Sequence, residues 1–293
     1  MNLRAALPTG MFSHYWQAWL PYAIAALLLG TLAGLAALHA TGVRRIAPAG
    51  TFALAALALA VLGGLAAILA DAAAEGDGLT VFDRPTWQWF IDHRSPAATA
   101  VAKVVTTVGS TLVMGVLAGL TAALLWWRRR RGDAVLTAVV AAGAGLIVVI
   151  GKRAVGRQRP PADFRLVTET NASFPSGHAL ASTAILGTLT VLLVAGTRPV
   201  AARIGVVAAA LTLIAAIGIS RLYLGVHWAT DVLGGWLTGA GWLLLCVVAR
   251  RLWRSYRDNA QHGGPTGNDP GTTDLDHPGA SDVPDAPADG AAS

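Results

Sequence analysis

The chain has 293 residues, 54% of them hydrophobic and only 13% charged. An ordinary soluble domain is about 45–50% apolar and roughly 25% charged, so the composition argues against one and for a membrane protein. The formal charge of +6 does not point to nucleic acid, because the basic residues cluster at the ends of apolar runs, where membrane proteins carry them.

A bilayer core needs about 20 apolar residues as a helix. Seven runs qualify, at 20–40, 51–70, 104–127, 134–151, 178–196, 204–220 and 229–249. The first could instead be a signal-like anchor, although it lacks a basic leading region and a good small-residue cleavage site. Without it six helices remain. Arg44 and Arg45, the RRRR stretch at 128–131, Arg198 and Arg203, and the group Arg250, Arg251, Arg254 and Arg257 all fall on one side if the runs alternate. The positive-inside rule makes that side cytoplasmic. The N-terminus is then outside and the C-terminal tail inside.

Segment 71–100 faces outward on this map. Its DRPTWQWFIDHRSP stretch, with Trp87 and Trp89 among charged residues, reads as an interfacial amphipathic helix. GTLAG at 30–34, GVLAG at 115–119 and GWLTG at 235–239 fit the small-xxx-small packing pattern. In a chain with 33 glycines such matches also arise by chance. Cys246 is the single cysteine, which excludes a disulfide framework, and it lies inside an apolar run, so a buried structural thiol is expected. Residues 258–293 contain seven Asp, no Lys or Arg, and many Gly and Pro. Such a segment cannot bury a core and is expected to be disordered.

One outward connection breaks the charge rule. Residues 152–165 read KRAVGRQRPPADFR; an anionic ligand would explain them, as would plain headgroup contact. PSGH at 175–178 and SRLYLGVHWATD at 220–231 fall on the same side. Three polar islands at outward helix ends can converge on one site. Ionisable residues at membrane depth usually face a polar cavity.

Lys152, Arg159 and Arg221 offer positive charge suited to phosphate oxygens. Ser176, Gly177 and His178 stand where the fifth run starts, and a helix N-terminus binds anions through its free N–H groups. Pro175 favours a rigid helix start. His227 and Asp231 are four residues apart and share a helix face. A carboxylate on one ring nitrogen fixes the tautomer and leaves the other free to attack. His178 is placed to protonate a leaving oxygen. Each signal alone also fits a structural role; together they favour a catalytic site.

KRAVGRQRP, PSGH and SRLYLGVHWATD resemble, in order, the K-x6-RP, PSGH and SR-x5-H-x3-D motifs of the type 2 phosphatidic acid phosphatase (PAP2) superfamily. The resemblance covers about residues 80–250. It implies an all-α, polytopic membrane helical bundle: a six-helix PAP2-like core, here with an extra N-terminal transmembrane helix. It implies a phosphatase without metal or other cofactor, acting through a phosphohistidine. By position, His227 resembles the nucleophile, Asp231 its orienting partner and His178 the general acid. Lys152, Arg159, Ser176, Gly177 and Arg221 resemble the phosphate pocket. Arg153, Arg157 and Arg165 receive no role.

The expected organisation is an N-terminal helix and cytoplasmic loop (1–50), the phosphatase core (51–257) and an acidic tail (258–293). The expected partners are the bilayer and a lipid phosphate: undecaprenyl diphosphate, phosphatidic acid or phosphatidylglycerol phosphate, hydrolysed on the outer side of the cell membrane. A lipid-phosphate transporter or flippase, and a phosphotransferase, are the alternative uses of the same pocket.

Overall fold

The computed structural model describes residues 49–262. They form α1 (Ala49–Glu75), α2 (Asp83–Asp92), α3 (Pro96–Val108), α4 (Thr111–Trp127), α5 (Arg131–Val155), α6 (Gly177–Gly196), α7 (Val200–Tyr223) and α8 (Ala229–His262). Short 3-10 turns occupy Gly78–Phe82 and Ala162–Phe164, and no strand occurs among the described residues. The chain divides into two compact units between Ser255 and Tyr256; the architecture below is that of the first. Residues 258–262, expected to begin the disordered tail, continue α8 as helix.

Helices α1, α5, α6, α7 and α8 are each long and apolar enough to cross a bilayer, and the bent pair α3–α4 is long and apolar enough only when its two helices are taken together. The all-α polytopic bundle expected from the apolar runs is therefore present. The first run, 20–40, lies outside the described residues, as does the remainder of the acidic tail.

The run 104–127 departs from its expected single span. It is broken at Gly109 and Ser110 into helices that meet at 43°. Ser110 adopts extended backbone and its side chain accepts a hydrogen bond from the Val113 N–H. It thus caps a new helix rather than continuing the old one. Ser95 caps α3 in the same way, through Ala98 N–H.

The core follows helical spacing. Leu136, Val140, Ala144 and Val148 recur every fourth residue on α5 and pack on Leu180 and Ala184 of α6 and Cys246 of α8. Met114 and Ala118 of α4 meet Ala181 and Ile185 on another side of α6. Helix α6 is the most enclosed span, with 44% of its apolar window buried against 6% for α7, so it stands at the bundle centre. Outward, Leu112, Val116, Leu120 and Leu124 form an exposed stripe along α4. An apolar stripe of that length left open is what lipid covers.

The glycine pairs separate into two kinds. A Cβ on Gly235 would lie 2.8 Å from the Ser176 carbonyl oxygen, and one on Gly239 2.7 Å from that of Leu180. GWLTG is a true close contact of α8 with α6. Around Gly115 and Gly119 of GVLAG nothing lies within 4 Å, so that match has no packing role.

Candidate active site

The three polar islands converge at one end of the bundle. Lys152 ends α5, where its charge complements the helix dipole. Gly156 follows in the left-handed region, φ 63°, and turns the chain into the loop that carries Arg157 and Arg159. Ser176 caps α6, Arg221 ends α7, and Asp231 lies in the first turn of α8. The Ser176 N–H donates to the Asp231 carbonyl at 3.0 Å, tying the starts of α6 and α8 together.

His227 and Asp231 are buried, 1% and 0% exposed at the side chain, with Nδ1 3.2 Å from Asp231 Oδ2. The other ring nitrogen, Nε2, lies 3.1 Å from Arg159 Nη1. A guanidinium can only donate. Nε2 therefore accepts, and Nδ1 carries the proton that it donates to Asp231. This is the tautomer in which the Nε2 lone pair points at the Arg159 guanidinium. Burial pushes the imidazole pKa down to about 4, against the pull of Asp231, so the ring is neutral over the physiological range.

Asp231 is held from several sides. Oδ2 also accepts from the Trp228 N–H at 2.8 Å and from the Ser173 hydroxyl. Oδ1 accepts from Arg157 Nη1 at 2.7 Å. Arg157 in turn reaches Asp83 of α2 at 2.6 Å.

The three expected phosphate cations surround this pair. Arg159 donates to Val226 O at 2.6 Å, to Asn171 O at 2.7 Å and to Asn171 Oδ1 at 2.7 Å. Lys152 Nζ donates to Asn171 Oδ1 at 3.1 Å and to the Ala172 carbonyl. Arg221, 2% exposed, donates to Thr106 Oγ1 at 2.7 Å and to Glu169 Oε1. Its Nε is buried with no partner among the described residues. Glu169 Oε2 faces Arg159 at 3.5 Å. Burial pushes the Glu169 carboxyl up, but Arg221 and Arg159 outweigh it and hold the group below its ordinary range. Burial lowers the Arg159 guanidinium to about 10, opposed by Glu169.

Gly177 and His178 contribute first-turn N–H groups that have no intrahelical acceptor. His178 is partly buried and lies within electrostatic range of His227, Arg221, Arg159 and Lys152. Beside these groups an open pocket of about 410 Å³ is lined by Arg157, Arg159, Arg165, Glu169 and Asn171, among others. Among the described residues no three His, Cys, Asp or Glu side chains gather as a metal site.

All eight expected site residues thus lie at this end. The additional cations divide. Arg157 is wired into the centre, Arg165 braces the loop through the Pro160 carbonyl, and Arg153 is exposed. Sequence reasoning missed Asp83, Thr106, Glu169 and Ser173.

Residues 133–255 match the family described as the PAP2 superfamily. Two curated relatives are similar over part of the chain. Phosphatidylglycerophosphatase B of Bacillus subtilis (strain 168) is 37% identical over 92 residues, 30% of this chain and 43% of that protein. The undecaprenyl-diphosphatase of Sulfolobus acidocaldarius is 38% identical over 79 residues, 27% of this chain and 34% of that protein. The alignments span less than half the length of either relative. In structure, the chain resembles a transmembrane PAP2 type phosphatidylglycerolphosphate phosphatase from Bacillus subtilis, with a TM-score of 0.58 and 28% identity over 65% of this chain and 94% of that one. With at least five helices among the described residues long and apolar enough to cross a bilayer, the chain is a multi-pass membrane protein whose fold resembles that phosphatase. Asp83 and Thr106 reach Arg157 and Arg221 from helices that precede the matched region.

Proposed function

We propose that the protein is an integral-membrane lipid phosphatase that works without a metal, through a phosphohistidine on His227. The observation that carries this reading is the placement of His227, with Nδ1 3.2 Å from Asp231 Oδ2 and Nε2 3.1 Å from Arg159 Nη1. Its proton is committed to Asp231 and its Nε2 lone pair faces Arg159. A site that only binds or moves a lipid phosphate has no need of an oriented nucleophile, which disfavours the transporter.

Phosphate entering the site takes donors from Lys152, Arg159 and Arg221 and from the first-turn amides of α6. Arg159 Nη1 exchanges Nε2 for a phosphate oxygen, which frees the Nε2 lone pair and brings the phosphorus in front of it. Nε2 attacks phosphorus, and the bond from phosphorus to the ester or anhydride oxygen breaks. His178, protonated for this step, gives its proton to that departing oxygen. Neutral His178 then takes a proton from water, whose oxygen attacks the phosphorus and releases inorganic phosphate and free His227. Asp231 stabilises the imidazolium character of His227 throughout.

The names of the relatives make phosphatidylglycerol phosphate and undecaprenyl diphosphate the first substrates to try, with phosphatidic acid beside them. The basic cluster at the opposite end of the bundle supports an outward-facing site, with the C-terminal tail inside the cell. The domain boundaries proposed are those of the apolar pattern: 1–50, 51–257 and 258–293.

The test is phosphate release from these three lipids, in detergent with EDTA, by wild type and by His227→Ala. Turnover by wild type that EDTA leaves intact, and that the variant loses by at least about a thousandfold, is expected. Turnover that needs an added divalent cation would overturn the mechanism. An impermeant thiol reagent applied to cysteines placed at 168–172 in intact cells tests the outward orientation; labelling only after lysis would reverse it.

A further inference from the structure

We propose that Arg157 and Asp83 are a buried positioning pair that sets the proton affinity of His227 through Asp231. Neither residue touches the reacting atoms. The consequence for turnover rests on the phosphatase reading above; the direct test below does not.

The two oxygens of Asp231 have separate duties. Oδ2 serves the imidazole, Ser173 and the Trp228 amide, whereas Oδ1 faces Arg157. A carboxylate already neutralised by a guanidinium holds an imidazolium less firmly. The arginine is itself shared. Its Nη2 reaches Asp83 Oδ2 at 2.6 Å, and Nη1 also donates to Thr230 Oγ1 at 2.7 Å. Asp83 closes the circuit by accepting from Thr230 N at 2.8 Å and Thr230 Oγ1 at 2.6 Å. Charge thus alternates along Asp83, Arg157, Asp231 and His227, in one row from α2 to the start of α8.

Burial gives the row its effect. The side chains of Asp83, Arg157 and Asp231 are 4%, 10% and 0% exposed. The Arg157 guanidinium lies 5.8 Å from the centroid of the Trp228 ring, and the buried Trp87 stands 6.1 Å from that ring. Charges in such surroundings interact far more strongly than in water. His227 also faces Arg159 from the α5–α6 loop, Glu169 from the same loop, Arg221 from α7 and His178 from α6; Lys152 of α5 faces Asp231. Substitutions in the pair leave those groups unchanged, so the contribution of the pair can be read separately.

The signs are opposite for the two members. Without the Arg157 charge, Asp231 holds the imidazolium more firmly, and His227 takes a proton at higher pH. Without the Asp83 charge, Arg157 acts on Asp231 undivided, and His227 takes a proton at lower pH. A merely structural brace would lower turnover in both variants and move neither midpoint in this ordered way.

The experiment is a titration of the full chain in detergent micelles, labelled with ¹⁵N at the imidazoles, reading the His227 midpoint. Arg157→Gln should raise it by about one pH unit, a tenfold gain in proton affinity. Arg157→Lys should stay closer to wild type than Arg157→Gln does, and Asp83→Asn should fall below wild type. If Arg157→Gln does not fold, the double variant Asp83→Asn with Arg157→Gln decides, because it leaves neither member of the pair buried and charged; its midpoint should still rise. In turnover, the acidic limb of kcat/KM should follow the same order. A double-variant midpoint equal to wild type, or a rise in Asp83→Asn, would overturn the proposal.

Discussion

At one end of the bundle Arg157 and Arg221 are 10% and 2% exposed at the side chain and face carboxylates that come from distant parts of the chain. At the other end Asp133 draws Arg250, Arg130 and, at 3.9 Å, Arg254, the last two 50% and 62% exposed. Both clusters pair arginine with aspartate or glutamate. The first holds its arginines deeper and is spread over α2, α3, α7, α8 and a loop. Partners removed from a buried cluster leave an uncompensated charge, at a cost of about 3–5 kcal/mol. Exposed pairs contribute about 0–1 kcal/mol. The buried end can therefore fix a geometry and a protonation state, whereas the open end can do little more than anchor helix termini.

The contrast is broken most severely at the histidines. After His227, the largest effect is expected from His178→Ala, which should lower kcat by about 10²–10⁴-fold, the usual worth of a positioned acid. Inorganic phosphate should inhibit the variant about as well as wild type, because the cations and the Ser176 cap remain. Phosphate inhibition lost along with turnover would make His178 a binding group instead.

Glu169→Gln sharpens the comparison in the other direction. The carboxylate occupies Arg221 and Arg159 where a phosphate is proposed to bind. It is held ionised, so it competes throughout the neutral range. The variant should bind inorganic phosphate about tenfold more tightly, a coupling of roughly 1.4 kcal/mol, read as a lower inhibition constant. Weaker inhibition would show that Glu169 is needed to hold Arg221 in place.

Much of this was legible beforehand, and the failures have a common form. Apolar runs disclosed the spans because lipid demands about 20 apolar residues whatever their order. The eight candidate site residues stood out because each island gathers several polar groups at a helix end. Single residues did not stand out. DRPTWQWFID contains two aspartates; Asp83 is buried on Arg157 and Thr230, while Asp92 is exposed and bonds Gln88 of its own helix. Nothing local separates them, since the partners of Asp83 lie 74 and 147 residues away. The break at Ser110 was hidden for the opposite reason: one capping hydroxyl sits inside an unbroken apolar pattern.

The two glycine pairs offer a smaller test of that lesson. Gly235→Ala places a Cβ 2.8 Å from the Ser176 carbonyl and 2.9 Å from Ala179 Cβ. Helix α8 must back away from the start of α6, carrying Asp231 with it. A loss of about 1–3 kcal/mol is expected, with a fall in kcat. Gly119→Ala, in open space, should be neutral or stabilising by up to about 1 kcal/mol. Thermal unfolding in detergent separates them, and equal losses would mean that the close approach of α8 to α6 is not what holds the site.

The smallest effect is expected at the open end, from Asp133→Asn. The change removes the carboxylate that Arg130 meets at 2.7 Å and that Arg250 also contacts. It also removes an acidic group from the first turn of α5, where it favours the helix dipole. Water reaches Arg130 and Arg254 freely, so their charges are solvated once released. The amide that replaces the carboxylate would retain an oxygen to accept from Arg250, whose Nε is buried without a partner among the described residues. The loss should stay within about 1 kcal/mol, shrink further as salt is added, and leave kcat/KM unchanged. A drop in kcat/KM would mean that α5 transmits strain along its length from Asp133 to Lys152, and the two ends of the bundle would then have to be treated as one coupled system.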